Sequence, residues 1–308
     1  MTEESEVFML DGAPEKDPNR VLKDVLAGTV GGIAQVLSGQ PFDTTKVRLQ
    51  SAAEGTYSGP IDVVKQLLKN EGPLGFYKGT LTPLVGVGAC VSIQFGVNEF
   101  MKRFFAEQQL KKNIPAGTPL TSSQFYICGA AGGFANGFLA APIEHIRIRL
   151  QTQTGAVKEF NGPLDTIRKL YAQNGLKTIY RGIWPTLIRE AHGIGIYFMT
   201  FEALVKNEMT SRKVERKEIP GWKLCSFGAA AGYSMWLTSY PIDVIKSKLQ
   251  TDSYTQPKFR GSLDVAKSIM ATNGIKGFFK GFVPTILRAA PANAATFYAF
   301  ELTMRFLG

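Results

Sequence analysis

The sequence predicts an all-α membrane protein with six transmembrane helices in three pseudo-symmetric repeats of about 100 residues, with short helices between the long ones. Three observations predict it. A decapeptide recurs as PFDTTKVRLQ from Pro41, PIEHIRIRLQ from Pro142 and PIDVIKSKLQ from Pro241, at spacings of 101 and 99 residues. Two further blocks recur around it in the same order. AGTVGG, CGAAGG and FGAAAG each place their first glycine (Gly28, Gly129, Gly228) 13 residues before the proline, and EGPLGFYKG, NGLKTIYRG and NGIKGFFKG end at Gly79, Gly182 and Gly281. The composition is the third: 44% hydrophobic and 19% charged over 308 residues is too apolar for disorder. A mean hydropathy near zero requires any spanning helix to keep polar groups on a protected inner face. A period near 100 also exceeds that of the common helical solenoids.

Each repeat reads as two long helices joined by a polar connection. The first helices, roughly 22–50, 122–151 and 222–250, carry glycine at i and i+4 (Gly28 and Gly32, Gly129 and Gly133, Gly228 and Gly232). That spacing clears a stripe and lets a neighbouring helix approach where lipid supplies no hydrophobic drive, although tight packing in a soluble bundle uses the same device. The second helices, roughly 80–105, 183–207 and 282–306, are rich in apolar and aromatic residues and have about the 20 residues a span needs. Between them, PIDVVKQLLKN and PLDTIRKLYAQ put apolar residues at helical spacing and predict short surface helices. The expected organisation is an acidic tail over 1–21 and repeats over 22–110, 111–212 and 213–308. The tail has neither a basic signal-peptide start nor an Arg-rich transit pattern, so no cleavable presequence is expected.

The decapeptide combines a helix-kinking proline with charge in threefold register. Two residues after each proline stands an acid (Asp43, Glu144, Asp243) and five after it a base (Lys46, Arg147, Lys246). With three such helices in a ring, Asp43 would meet Arg147, Glu144 would meet Lys246 and Asp243 would meet Lys46. Charges at membrane depth are tolerated when paired or facing a cavity, so a closed ring acts as a plug. Gln50, Gln151 and Gln250, nine residues after each proline, can bridge such a pair from below. Independent surface charges would not recur in register.

The net charge of +10 suits nucleic acid or anionic lipid equally. Its bases are spread among loops and not gathered on one face, which argues against nucleic acid. Cys90, Cys128 and Cys225 are too few and odd in number for a disulfide framework or zinc site. Two histidines, no GxSxG and no GxxxxGK[ST] leave no expected enzyme activity, metal or cofactor.

Px[DE]xx[KR]x[KR]xQ followed by [DE]Gxxxx[YF][KR]G, three times from about Lys23 to Phe306, resembles the mitochondrial carrier family. The resemblance implies a multi-pass inner-membrane protein, working as a monomer, that binds a small-molecule substrate at mid-membrane and exposes it alternately to either side. In its terms the acid/base ring is the matrix gate. The cytoplasmic gate would use Glu99 and Lys102, with Glu202 and Glu301 as acceptors. Lys206 and Arg305 fall one residue beyond the family position, which implies a weaker outer gate and a cytoplasm-open empty state. Asn174 and Asn273 depart from the family's acid before glycine. The [YF][KR]G regions resemble cardiolipin sites, with Gly72, Gly79, Gly175, Gly182, Gly274 and Gly281 as candidates, though glycine also ends helices for backbone reasons alone.

Family substrate contacts lie seven residues after the glycine of [YF][KR]G, which gives Gly86, Arg189 with Glu190 beside it, and Arg288. Arginine pairs a carboxylate in bidentate geometry and glutamate receives an ammonium. The Arg-Glu step resembles the amino-acid-transporting branch, and two arginines with one glutamate favour a glutamate-like substrate. Basic amino-acid carriers tend to bear an acid where Gly86 stands. Carnitine/acylcarnitine carriers share these segments, and a small Gly86 would leave room for an acyl tail, but they usually carry Asp where Glu190 stands. His192, one turn past Arg189, either lines the cavity or is structural. TPLVGVGACVSIQFGVNE and RAAPANAATF resemble a fungal amino-acid/organic-acid subgroup related to ornithine and carnitine carriers. The reading from a different class is a soluble basic helical binding scaffold.

Overall fold

The computed structural model describes residues 20–307 except 54, 116, 117, 119 and 155–158, so the acidic tail expected over 1–21 lies almost entirely outside the described residues. Among the described residues every regular element is helical. Six long helices, α1 (Arg20–Ser51), α3 (Leu81–Lys111), α4 (Ser122–Thr152), α7 (Ile183–Arg212), α8 (Gly221–Thr251) and α10 (Phe282–Leu307), alternate with the short helices α2 (Pro60–Glu71), α5 (Pro163–Asn174), α6 (Leu176–Ile179) and α9 (Ser262–Asn273). The long helices have 26–32 residues. At 1.5 Å per residue each is about 40 Å or longer, more than the hydrocarbon core of a bilayer.

Helices α1, α4 and α8 continue through Pro41, Pro142 and Pro241. α3 and α7 run several residues past the expected ends, to Lys111 and Arg212, because their charged tails are still good helix formers. α4 is a helix long and apolar enough by itself to cross a membrane.

The three short surface helices are built alike. An aspartate in the first turn accepts a backbone N–H from the preceding loop: Asp62 from Ser58 at 3.0 Å, Asp165 from Asn161 at 2.9 Å, and Asp264 from Arg260 at 3.1 Å. That bond holds the Asp62 and Asp165 carboxyls below the usual carboxylate range. The buried faces also repeat, as Val63 and Leu67, Thr166 and Leu170, Val265 and Ile269. Each helix stops at a glycine in the left-handed region, Gly72, Gly175 or Gly274, with φ of 72°, 61° and 59°. The glycine N–H bonds back to Leu68, Tyr171 or Met270.

The chain divides into two compact units. One comprises Gly88–Ala140 and Thr186–Tyr240; the other takes in the described residues up to Val87, Ala141–Pro185 and the residues from Pro241 on. In the first unit α4 approaches two helices at once. A β-carbon on Gly129 would lie 2.7 Å from the Ile194 carbonyl oxygen, one on Gly133 would fall on that of Glu190, and one on Gly132 would lie 2.7 Å from that of Gln94. Beside this contact Tyr197, Phe198, Phe201, Val205, Ile219 and Ala231 form an apolar core. In the second unit α1 lies along α10. There a β-carbon on Gly31 would meet the Thr296 carbonyl at 3.1 Å, and one on Gly39 the Arg288 Nε at 2.7 Å.

In α4 both glycines of the pair act as expected. Gly28 and Gly232 have no described atom within 4 Å of an added β-carbon, and in α1 the close approach falls to Gly31 and Gly39. Which stripe of a helix meets a neighbour depends on where that neighbour lies, which a glycine spacing does not encode.

Candidate functional site

In the second unit α1, α4 and α8 bring the three acids and three bases of the repeated decapeptide together. Arg147 Nη2 lies 2.6 Å from Asp43 Oδ2, Lys46 Nζ lies 2.8 Å from Asp243 Oδ2, and Lys246 pairs with Glu144. These are the partners that threefold register implies. The bridging glutamines are less uniform. Gln50 donates to Asp243 at 3.1 Å and so braces the Lys46–Asp243 pair. Gln151 instead turns to the Thr44 hydroxyl at 3.4 Å, which is itself committed to the Phe76 carbonyl. The buried Gln250 amide has no side-chain hydrogen bond among the described residues, and its stem is pressed against Gly182.

Three further groups surround this ring. Arg288 Nε stands 3.1 Å from Asp43 Oδ1, so two guanidinium groups flank one carboxylate. Gln40 accepts from Arg147 at 2.8 Å and donates to the Lys78 carbonyl at 3.2 Å. His145 is fully buried, with Nδ1 2.9 Å from the Ile179 carbonyl and Nε2 2.8 Å from Arg149 Nε. At the same motif position Thr44 donates to the Phe76 carbonyl at 2.6 Å. Both side chains tie their long helix to the segment that follows the surface helix. His145 is thus a structural anchor.

One turn beyond the ring the repeats diverge. Arg48 grips Glu71 with both terminal nitrogens, at 2.6 and 2.9 Å, and Lys78 joins the same carboxylate at 2.5 Å. Burial pushes the Glu71 carboxyl up, but the hydrogen bonds from Arg48 and Lys78 outweigh it and hold the group below its usual range. In the second repeat Arg149 stands where Arg48 does and donates to His145 and to the Asp252 carbonyl.

The first unit holds the Arg-Glu step. Arg189 pairs with the adjacent Glu190, and Asn136 Nδ2 on α4 donates to Glu190 Oε2 at 3.3 Å. The pair sits against α4 because Gly133 admits the Glu190 backbone. The Asn136 Oδ1 is buried without a hydrogen-bond partner among the described residues, an unused acceptor beside a carboxylate. His192 Nδ1 lies 3.1 Å from the Tyr126 hydroxyl. Gly86, in the second unit, is buried, and the place of its missing side chain is taken by Ile143 Cδ1, 2.6 Å from an added β-carbon. The space expected there for a bulky tail is filled by Ile143.

The other expected acids have near neighbours as partners. Glu99 pairs with Lys102 at 2.9 Å within one turn of α3, and Lys102 lies 5.7 Å above the Phe198 ring. Glu301 pairs with Arg305 within one turn of α10. Glu202 accepts from Arg216 at 3.1 Å through both oxygens. Arg216 lies in a connecting turn outside every motif, so no repeat pattern could have pointed to it.

Gly79, Gly182 and Gly281 adopt φ of 78°, 85° and 87° just before α3, α7 and α10. For two of them glycine is required twice over, since a β-carbon on Gly79 would lie 3.0 Å from the Arg147 carbonyl and one on Gly182 2.8 Å from Gln250 Cγ. Gly79 and Thr80 face Asn161 and Gly162 across a cavity of about 220 Å³, where the starts of α3 and α5 converge. Backbone N–H groups at helix starts suit a phosphate. Gly162 belongs to this groove and lies outside the recurring blocks that end in [YF][KR]G.

The sequence pattern of the family described as mitochondrial carrier protein matches residues 17–109, 118–212 and 217–308. A mitochondrial glycine transporter of Saccharomyces cerevisiae is 58% identical over 303 residues, covering 97% of this chain and 96% of its own. A glutamate/glycine mitochondrial carrier of Schizosaccharomyces pombe is 51% identical over 292 residues, covering 94% and 95%. A mitochondrial carnitine/acylcarnitine carrier-like protein of Arabidopsis thaliana is 39% identical over 304 residues, covering 93% and 98%.

Proposed function

The chain belongs to the mitochondrial carrier family, and on that premise we propose that it exchanges small α-amino acids, glycine and glutamate among them, across the inner membrane by alternating access. Family membership along nearly the whole chain sets aside the soluble scaffold. The relatives are named as transporters and carriers, and we read this chain likewise as a carrier with no catalytic step.

The observation that carries the reading is the Arg189–Glu190 pair. An internal ion pair is opened at little cost by a ligand that offers each member a replacement partner. A zwitterion does this: its α-carboxylate takes Arg189 and its α-ammonium takes Glu190. A dicarboxylate leaves Glu190 uncompensated, and a simple cation leaves Arg189 so, and each uncompensated charge is costly. Arg288, at the matching offset in the third repeat, is assigned the side-chain carboxylate of an acidic substrate, for which Asp43 now stands in. Glycine needs only the Arg-Glu pair. His192 is assigned a supporting role through Tyr126, and Gly86 that of a position lacking an acid for a basic side chain.

The ring Asp43–Arg147, Glu144–Lys246 and Asp243–Lys46, braced by Gln50 and accompanied by Gln151 and Gln250, is assigned the matrix gate. Glu99, Lys102, Glu202 and Glu301 are assigned the cytoplasmic gate. Their present partners support a resting state with the matrix side shut. The groove at Gly79, and its counterparts at Gly182 and Gly281, is assigned to cardiolipin, with Gly72, Gly175 and Gly274 ending the helices beside it. The working unit is taken as a monomer.

Uptake of labelled glycine, glutamate, ornithine and carnitine into proteoliposomes holding unlabelled counter-substrate tests this. Glycine and glutamate uptake is expected. Ornithine or carnitine uptake alone would overturn the substrate reading. Glu190→Gln should abolish both amino-acid activities, because a neutral amide no longer compensates the ammonium. Retention of near-normal rates would discard the Arg-Glu assignment.

A further inference from the structure

We propose that the cavity beneath Arg149, at the decapeptide end of the second unit, binds a small oxyanion: a carboxylate or an inorganic phosphate. It has a volume of about 370 Å³, and Arg48, Arg149, Tyr57, Thr152, Gln153 and Glu159 line it. Two arginines from equivalent motif positions therefore face one cavity, and both are more than nine-tenths buried.

They differ in what neutralises them. Arg48 has the Glu71 carboxylate on both terminal nitrogens. The corresponding position of the second repeat is Asn174, which has no charge to give. Arg149 accordingly spends Nε on His145 and Nη2 on the Asp252 carbonyl at 2.7 Å. Among the described residues no carboxylate lies within ion-pair distance of it, and Nη1 makes no hydrogen bond. Asp252 is not available, since its carboxylate is held by Arg181 at 2.5 Å and by the N–H groups of Ser253, Lys258 and Phe259. The Tyr254 ring, 5.2 Å from the guanidinium carbon, offers only its face. Glu159 lines the cavity but stands outside ion-pair range. Among the described residues that line the cavity, Arg48 and Arg149 thus face Glu159, two bases against one acid. A buried guanidinium with an unused donor beside an open space recognises an oxyanion through charge-assisted hydrogen bonds. The site does not depend on which amino acid the protein carries.

The test is the melting temperature of the detergent-solubilised full chain, titrated with sodium phosphate against sodium chloride at equal ionic strength. A parallel titration uses acetate. A saturable rise with phosphate alone identifies free phosphate as the ligand; a matching rise with acetate identifies a carboxylate. Either supports the site. Arg149→Gln should remove the rise. Glu159→Gln, which alters an exposed side chain and leaves the backbone bond from Lys169 in place, should tighten the apparent Kd at least threefold by removing the competing carboxylate. Stabilisation no greater than with chloride, a rise that persists in Arg149→Gln, or weaker binding in Glu159→Gln would overturn it.

Discussion

Two sets of charges in this protein obey different rules. Those of the decapeptide pair across helices roughly a hundred residues or more apart: Asp43 with Arg147, Glu144 with Lys246, Asp243 with Lys46. Glu99 with Lys102 and Glu301 with Arg305 each pair within a single turn of one helix. The first set joins helices that are distant in the sequence. The second stabilises only the helix that carries it. A charge motif repeated in a sequence therefore says little about energy until its partners are known.

The comparison is broken most severely at its most buried point. The Lys46 and Asp243 side chains are 10% and 6% exposed, so Lys46→Met leaves Asp243 without its cation and should cost about 3–5 kcal/mol, read as a fall in melting temperature in detergent. The double variant with Asp243→Met should recover most of that loss. If it does not, the pair is not the source of the stability. Next comes a contrast between glycines. Gly133→Ala drives a methyl into the Glu190 carbonyl and should cost about 1–3 kcal/mol by overpacking, whereas Gly28→Ala, with open space around it, should be close to neutral. Equal effects in the two would remove the helix-contact argument.

A smaller effect concerns pH. The folded Glu71 carboxyl is held below its usual value of 4.5, so its contribution is present above that value and is lost as pH falls through the lowered one. Melting temperature should drop more steeply below about pH 4.5 in the wild type than in Glu71→Gln. Parallel curves would mean that Arg48 and Lys78 do not hold the ionised form. The smallest effect should come from Glu301→Gln, whose partner lies in the same helix turn on the surface. A loss of no more than about 0.5 kcal/mol is expected, and a larger one would promote that pair to an interhelical role.

The repeats, the six long helices and the partners in the ring were legible because threefold register constrains them: one motif read three times specifies which acid faces which base. What escaped the reading is what occurs once. Arg288 meets Asp43 only because Gly39 lets it lie against α1. Arg216 reaches Glu202 from a turn. Asn136 meets Glu190 through a helix contact that its own sequence neighbourhood does not announce. Even the repeated glutamines separate into three behaviours, because Thr44 and His145 differ at one motif position and rearrange the neighbours of Gln151 and Gln250. Periodicity finds the shared scaffold, and side-chain geometry finds the differences that give a site its selectivity.

Arg288 beside Asp43 also has an electrical meaning. With it, the ring holds four bases against three acids, a surplus of one positive charge. Moving one elementary charge through 100 mV is worth about 2.3 kcal/mol, so the net charge of the loaded carrier sets how strongly the inner-membrane potential drives it. Under the proposed function an acidic amino acid cancels the surplus and a neutral zwitterion leaves it in place. In that proposed exchange a like-for-like trade is electrically silent. Exchange of one for the other moves a charge, and the voltage across the membrane gives that trade its direction.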